Sequence, residues 1–189
     1  MNWLVFALLS WLFLGLEHGF RSALQVGSLA IAPSFVMVLI VYVALWARTT
    51  SALGCAMALG FILDLLYPVP TSAGETAVVA GPWALGCMLA AYTVINFRAM
   101  VFRRNPLTIA FLCILGSAVA HILVITILTL RSRYDVVVIP SASAELWQRL
   151  GSALYTGLLG LGVGPLLNMI GPWIGFKKPG GLAAGGRRF

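Results

Sequence analysis

Apolar residues run through this chain in long blocks separated by short polar clusters, a pattern of membrane-crossing helices and not of the one-sided stripes of a soluble fold. The first block, Trp3 to Leu16, is short for a span, so the helix is expected to extend through LEHGFRSALQVG to about Gln25. Pro33 leads the second block, PSFVMVLIVYVALW, and a proline suits a first helical turn because its missing N–H would be unpaired there anyway. Arg48, Thr49 and Thr50 close that block, and the brief gap before Ala52 forces the second and third helices into an antiparallel hairpin. After the third block, SALGCAMALGFILDLLY, the PVPTSAGETA segment has the composition of a loop. The fourth helix is expected over Ala77 to Phe97, with Gly81 and Pro82 kinking it or starting it late, and Arg98, Arg103 and Arg104 at its exit. Asn105 and Pro106 precede Leu107 to Leu130, the longest clean apolar stretch. Arg131 to Arg149 is read as an extended loop, with VVVIP a short extended piece, Ser143 and Glu145 marking a helix start, and Trp147 an interface residue. The last block is Leu150 to Ile174. The expected fold is therefore all-α and polytopic: one membrane domain, 1–176, with spans at about 3–25, 30–47, 51–67, 77–97, 107–130 and 150–174, then a basic, glycine-rich cytoplasmic tail at 177–189.

Composition agrees with this pattern. Hydrophobic residues make up 61% of the 189 positions and charged residues 9%, against about 25% charged in soluble domains. Mean hydropathy is +1.01. At about 20 residues per span, that length holds five or six spans and leaves no room for a soluble catalytic domain. The net charge of +7 suggests a polyanion partner until the basic residues are placed, when they fall in short loops and the tail, a pattern of membrane orientation and not of nucleic-acid binding. With the N-terminus inside, cytoplasmic segments hold Arg48, Arg98, Arg103, Arg104, Lys177, Lys178, Arg187 and Arg188. The outer segments hold only Arg21, Arg131, Arg133 and Arg149, alongside the loop acids Glu17, Glu75, Asp135 and Glu145. The positive-inside rule then places both termini in the cytoplasm. Cys55, Cys87 and Cys113 lie within apolar runs, without ligand spacing, and read as small buried residues. The opening MNWLVFALLSWLFLGL reads as a retained helix, since neither a basic leader nor a cleavage site accompanies it.

Few side chains are available for chemistry. Ala52, Ala56, Gly60 and Asp64 fall on one stripe of the third helix, three small residues leading to one acid, and are expected to dock a partner helix. A carboxylate at the bilayer centre costs about 2.5–3.5 kcal/mol, so Asp64 should face protein or a wet cavity; the alternative is a solvated acid at the helix end. Gly157, Gly160 and Gly164 should allow close packing of the last helix, with Asn168 on the same stripe offering an interhelical hydrogen bond. Ser117 and His121, four apart, suggest a nucleophile and base, but no GxSG elbow or third orienting group accompanies them, and His121 is expected to hydrogen-bond a neighbouring helix instead. Asp64 with Glu75 is the candidate proton or ion relay. No HExxH, paired His/Cys ligands or phosphate-cradling glycine loop is present, so no catalytic residue, metal or cofactor is expected.

The second and third helices carry a family resemblance. APSFVMVLIVYVALW, a short basic turn, and GFILDLL with its Gly60-to-Asp64 spacing resemble the bacterial rod shape-determining protein MreD over Ala32 to Leu66. The remainder agrees in size, span count and charge placement, while YPVPTSAGETAVVAGP replaces the family's brief glycine-containing link, for which Gly74 stands, and the GGLAAGGRRF tail has no counterpart. The resemblance implies a non-enzymatic, multi-pass component of the elongation machinery in the bacterial inner membrane. Its partners would be the bitopic MreC and, through it, a SEDS glycosyltransferase, its penicillin-binding protein and actin-like MreB filaments. The rival expectation is a small-molecule-binding transporter component, similar to the S component of energy-coupling-factor transporters, with Asp64, Tyr67, Trp83, Tyr92 and Asn96 lining its pocket.

Overall fold

A computed structural model describes residues 2–26, 31–70, 76–101, 105–134 and 141–175, apart from the side chain at position 142. Six helices, α1 (Trp3–Leu24), α2 (Phe35–Trp46), α3 (Thr49–Leu66), α4 (Pro82–Phe97), α5 (Pro106–Arg131) and α6 (Ala142–Ile170), account for most of these residues. A two-residue ladder between α3 and α4 pairs Val69 with Ala77 and Pro70 with Thr76. α1, α3, α5 and α6 are long and apolar enough to cross a membrane, whereas α2 and α4 are shorter apolar helices.

The fold is built around α2. Every residue from Phe35 to Leu45 is buried, because α1, α3, α4, α5 and α6 all pack against it. A helix of 12 residues rises only about 18 Å, well short of a ~30 Å hydrocarbon layer. Unpaired N–H and C=O groups at its ends would be costly at such depth, and protein side chains meet them at both ends. At the start, Ser34 accepts from Met37 N at 3.2 Å and Glu17 of α1 accepts from the amides before it. At the finish, Arg98, just past α4, donates through Nη1 to Ala47 O at 2.9 Å and Ala44 O at 3.4 Å, and through Nη2 to Thr49 Oγ1 at 3.2 Å. A cation suits the negative end of a helix dipole. Arg98→Gln is therefore expected to fray the end of α2 and lower stability by about 1–2 kcal/mol, read as a lower midpoint in thermal unfolding of the detergent-solubilised protein.

Glycines set the other close approaches. A Cβ at Gly160 would lie 2.8 Å from Cys113 Sγ, one at Gly164 3.0 Å from Ile109 Cδ1, and one at Gly157 would overlap Ile114, so this stripe of α6 lies against α5. Contrary to expectation, Asn168 Oδ1 accepts no interhelical hydrogen bond: it is buried without a partner among the described residues. The three cysteines are buried and free.

Several boundaries differ from the sequence expectation. The second helix starts at Phe35 and not near position 30, because Ser34 takes the capping position and Pro33 stays in the extended lead. The fourth starts at Pro82 and not at Ala77, which is drawn into the short ladder; Gly81, at a φ of 119°, makes a turn open to a residue without Cβ. The sixth begins at Ala142, so Glu145 sits in its first turn and Arg149 on the helix instead of in a loop, and it ends at Ile170 in a turn through 175. The VVVIP piece, Gly74, Glu75, Arg103, Arg104, Asp135 and the tail at 177–189 lie outside the described residues.

Candidate functional site: two engaged carboxylates beneath a cavity at the helix ends

The helices alternate in direction, which gathers their ends at two poles. Asn2 N donates to Ile174 O at 2.7 Å at one pole, where Arg98 also meets Thr49. At the other pole the end of α1, the starts of α2 and α4, the end of α3 and the first turns of α6 surround a cavity of about 560 Å³. Its lining includes Glu17, Arg21, Asp64, Tyr67, Trp83, His121, Glu145, Gln148 and Arg149.

Glu17, a loop acid by the charge pattern of the sequence, lies within α1 and is 4% exposed. Its Oε2 accepts from Phe35 N at 2.6 Å, Val36 N at 3.2 Å and Ser34 Oγ at 3.2 Å, and its Oε1 accepts from Tyr67 Oη at 3.3 Å. The last of these contacts has the Tyr67 hydroxyl as donor. With Ser34 serving Met37, the first three amides of α2 are all paired. The signal for Glu17 was present in spacing, since Phe6, Leu9, Ser10, Phe13 and Glu17 form one buried stripe at intervals of three and four.

Asp64 repeats the arrangement one hairpin later. It is 1% exposed, and Oδ2 accepts from Gly81 N at 2.8 Å and Ala84 N at 3.2 Å while Oδ1 accepts from Trp83 N at 2.9 Å. Pro82, between them, has no N–H to satisfy. Gly60, one turn earlier, brings α3 to this corner: a Cβ there would lie 2.7 Å from Ala84 Cα and closer still to the Trp83 carbonyl. Ala52 and Ala56 are buried on the same face of α3, the helix that packs closely on α4. The stripe Ala52, Ala56, Gly60, Asp64 thus meets a helix of its own chain, and it is not the outward docking surface expected for a partner; small side chains were spent on intrachain closeness.

The other candidates separate. Among the described residues Ser117 Oγ and His121 Nδ1 are both buried without a hydrogen-bond partner, so the two do not form a nucleophile–base pair and Nδ1 does not make the expected interhelical bond. His121 instead packs edge-on against Trp83, with ring centroids 5.3 Å apart. Of the residues expected to line a pocket, Asp64, Tyr67 and Trp83 do so, whereas Tyr92 and Asn96 are exposed elsewhere on α4. Two arginines overlooked as site residues join them. Arg21 lies over the Tyr67 ring at 4.3 Å, and Arg149, paired with Glu145 at 2.5 Å, lies 5.7 Å from the Trp83 ring centroid.

These features define a mostly helical chain with four helices long and apolar enough to cross a membrane, a cavity of mixed polar and apolar lining at one pole, and two buried acids, Glu17 and Asp64, committed to helix ends. Scans against protein-family models, curated proteins and solved structures each return no match for the chain.

Proposed function

We propose that this protein is a non-enzymatic, MreD-like platform of the bacterial cell-elongation machinery. In this proposal all six helices sit in the inner membrane, both termini are cytoplasmic, and an MreC-like bitopic protein docks on the outside of the bundle. The cavity then faces the outer side, where the charge pattern places Arg21, Arg149 and Glu145. The supporting observation is that Glu17 and Asp64 are both consumed by backbone amides at the starts of α2 and α4. A carboxylate held this way shapes a bundle and has little spare capacity for proton relay or catalysis. It also gives the resembling segment a structural task, since Gly60 and Asp64 lock the third helix to the fourth.

The surface left for a partner helix is outward. On α3, Met57, Phe61 and Leu65 are exposed at four-residue spacing beside the open Gly54. Phe61→Ala combined with Met57→Ala should reduce co-purification of an MreC-like partner while leaving the unfolding midpoint of the isolated chain unchanged. Undiminished recovery would remove α3 as the docking face. Depletion of the protein should abolish cylindrical growth under the microscope, and normal cell width after depletion would overturn the proposal.

The cavity favours a second reading, a small-molecule-binding component, because Asp64, Tyr67 and Trp83 do converge on it. Neighbouring genes separate the two: cell-wall synthesis genes support the platform, and an ATPase or vitamin-biosynthesis genes support the binder.

A further inference from the structure

The polar groups around the cavity are unequally committed. Its two deepest carboxylates have their oxygens engaged, Glu17 by two amides and two hydroxyls, Asp64 by three amides. Glu145 is taken by Arg149, which uses Nε and Nη2 on the same oxygen. Arg149 keeps only Nη1 free among the described residues, and two further groups are less fully spent. Arg21 stacks on Tyr67 and, among the described residues, has no carboxylate within ion-pair distance. His121 is 6% exposed, lines the cavity, and its Nδ1 has no partner among the described residues. A chamber whose two deepest carboxylates are engaged, and in which Arg21 and the Nη1 of Arg149 keep N–H groups unpaired among the described residues, is completed by a ligand that brings acceptors.

We infer that this cavity binds a phosphate-bearing anion, held by the Arg21 and Arg149 guanidiniums against the wall formed by Tyr67 and Trp83. The inference rests on the second reading above, that the cavity is a binding site, and is independent of partner docking. The Arg21 guanidinium from α1 and the Nη1 that Glu145 leaves on Arg149 from α6 approach from different helices and suit a group with oxygens on several sides of one centre; a carboxylate is used up by one fork. The volume of about 560 Å³ exceeds a bare phosphate and fits a substituted one. Since the cavity lies at the helix ends, the phosphate belongs either to a lipid headgroup or to a soluble molecule, and the recognising chemistry is the same.

The test uses the full-length protein in phosphate-free buffer. Pyrophosphate should raise the thermal unfolding midpoint saturably if the source is soluble, whereas native mass spectrometry should show retained phosphatidylglycerol if the source is lipid. Either signal should weaken about tenfold or more in Arg21→Gln and in Arg149→Gln, as expected for loss of a charge-assisted contact. It should persist in Arg48→Gln, at the opposite pole, and Arg21→Lys should recover part of it. Wild-type binding that ignores all three cavity substitutions, or no response to either probe, overturns the inference. Saturable stabilisation by a neutral solute alone overturns it too, but leaves the cavity as a binding site.

Discussion

Asp64→Ala is expected to lower stability by about 3 kcal/mol, because three amides at the start of α4 lose a charged acceptor inside a buried corner. The expected readout is a large drop in the unfolding midpoint, with faster proteolysis at the link between α3 and α4. Asp64→Asn should lose less, since its amide oxygen still accepts, but its NH₂ faces donors and cannot replace the second oxygen. Equal midpoints for the alanine variant and wild type would show that these hydrogen bonds do not hold the corner. The same reasoning applies to Glu17 at the start of α2, where Tyr67 loses its acceptor as well.

Gly60→Leu is the second substitution with a large effect. Even one added carbon at Gly60 would press on the backbone of Trp83 and Ala84, and backbone at a capped helix start cannot turn aside as a flexible side chain would. Overpacking of this kind costs about 1–3 kcal/mol, and separating α3 from α4 would draw Asp64 away from its amides as well. Reduced yield and a lower unfolding midpoint are expected, with any loss of partner binding following from misfolding. Gly54→Ala on the same helix is the control: it has open space around it and should be neutral or stabilising by up to about 1 kcal/mol. If Gly60→Leu left the midpoint unchanged and removed only a partner, the stripe would be an outer surface after all.

Long apolar blocks and their punctuation made most of the bundle legible. Helix existence followed from the requirement that backbone polar groups pair within a segment when lipid surrounds it, and Asn105 with Pro106 marked the start of α5, where Asn105 Oδ1 accepts from Leu107 N at 3.0 Å. The stripe through Gly60 and Asp64 announced a close helix approach. Its partner was not legible, because a small-residue face is identical whether it meets a foreign helix or one from the same chain. Glu17 shows a similar limit: a charged residue near the end of an apolar run looks like punctuation, and only the return of α2 beneath it supplies donors for its carboxylate.

The sequence by itself determined the apolar helices, their approximate order and the small-residue faces, since those depend on composition and on spacing along one segment. Tertiary structure decided which amides each buried acid serves, that Arg21 and Arg149 share a chamber, and that α2 is sheathed on all sides. Those facts depend on where separate segments meet, and a carboxylate or guanidinium takes its role from the donors and acceptors that other helices bring to it.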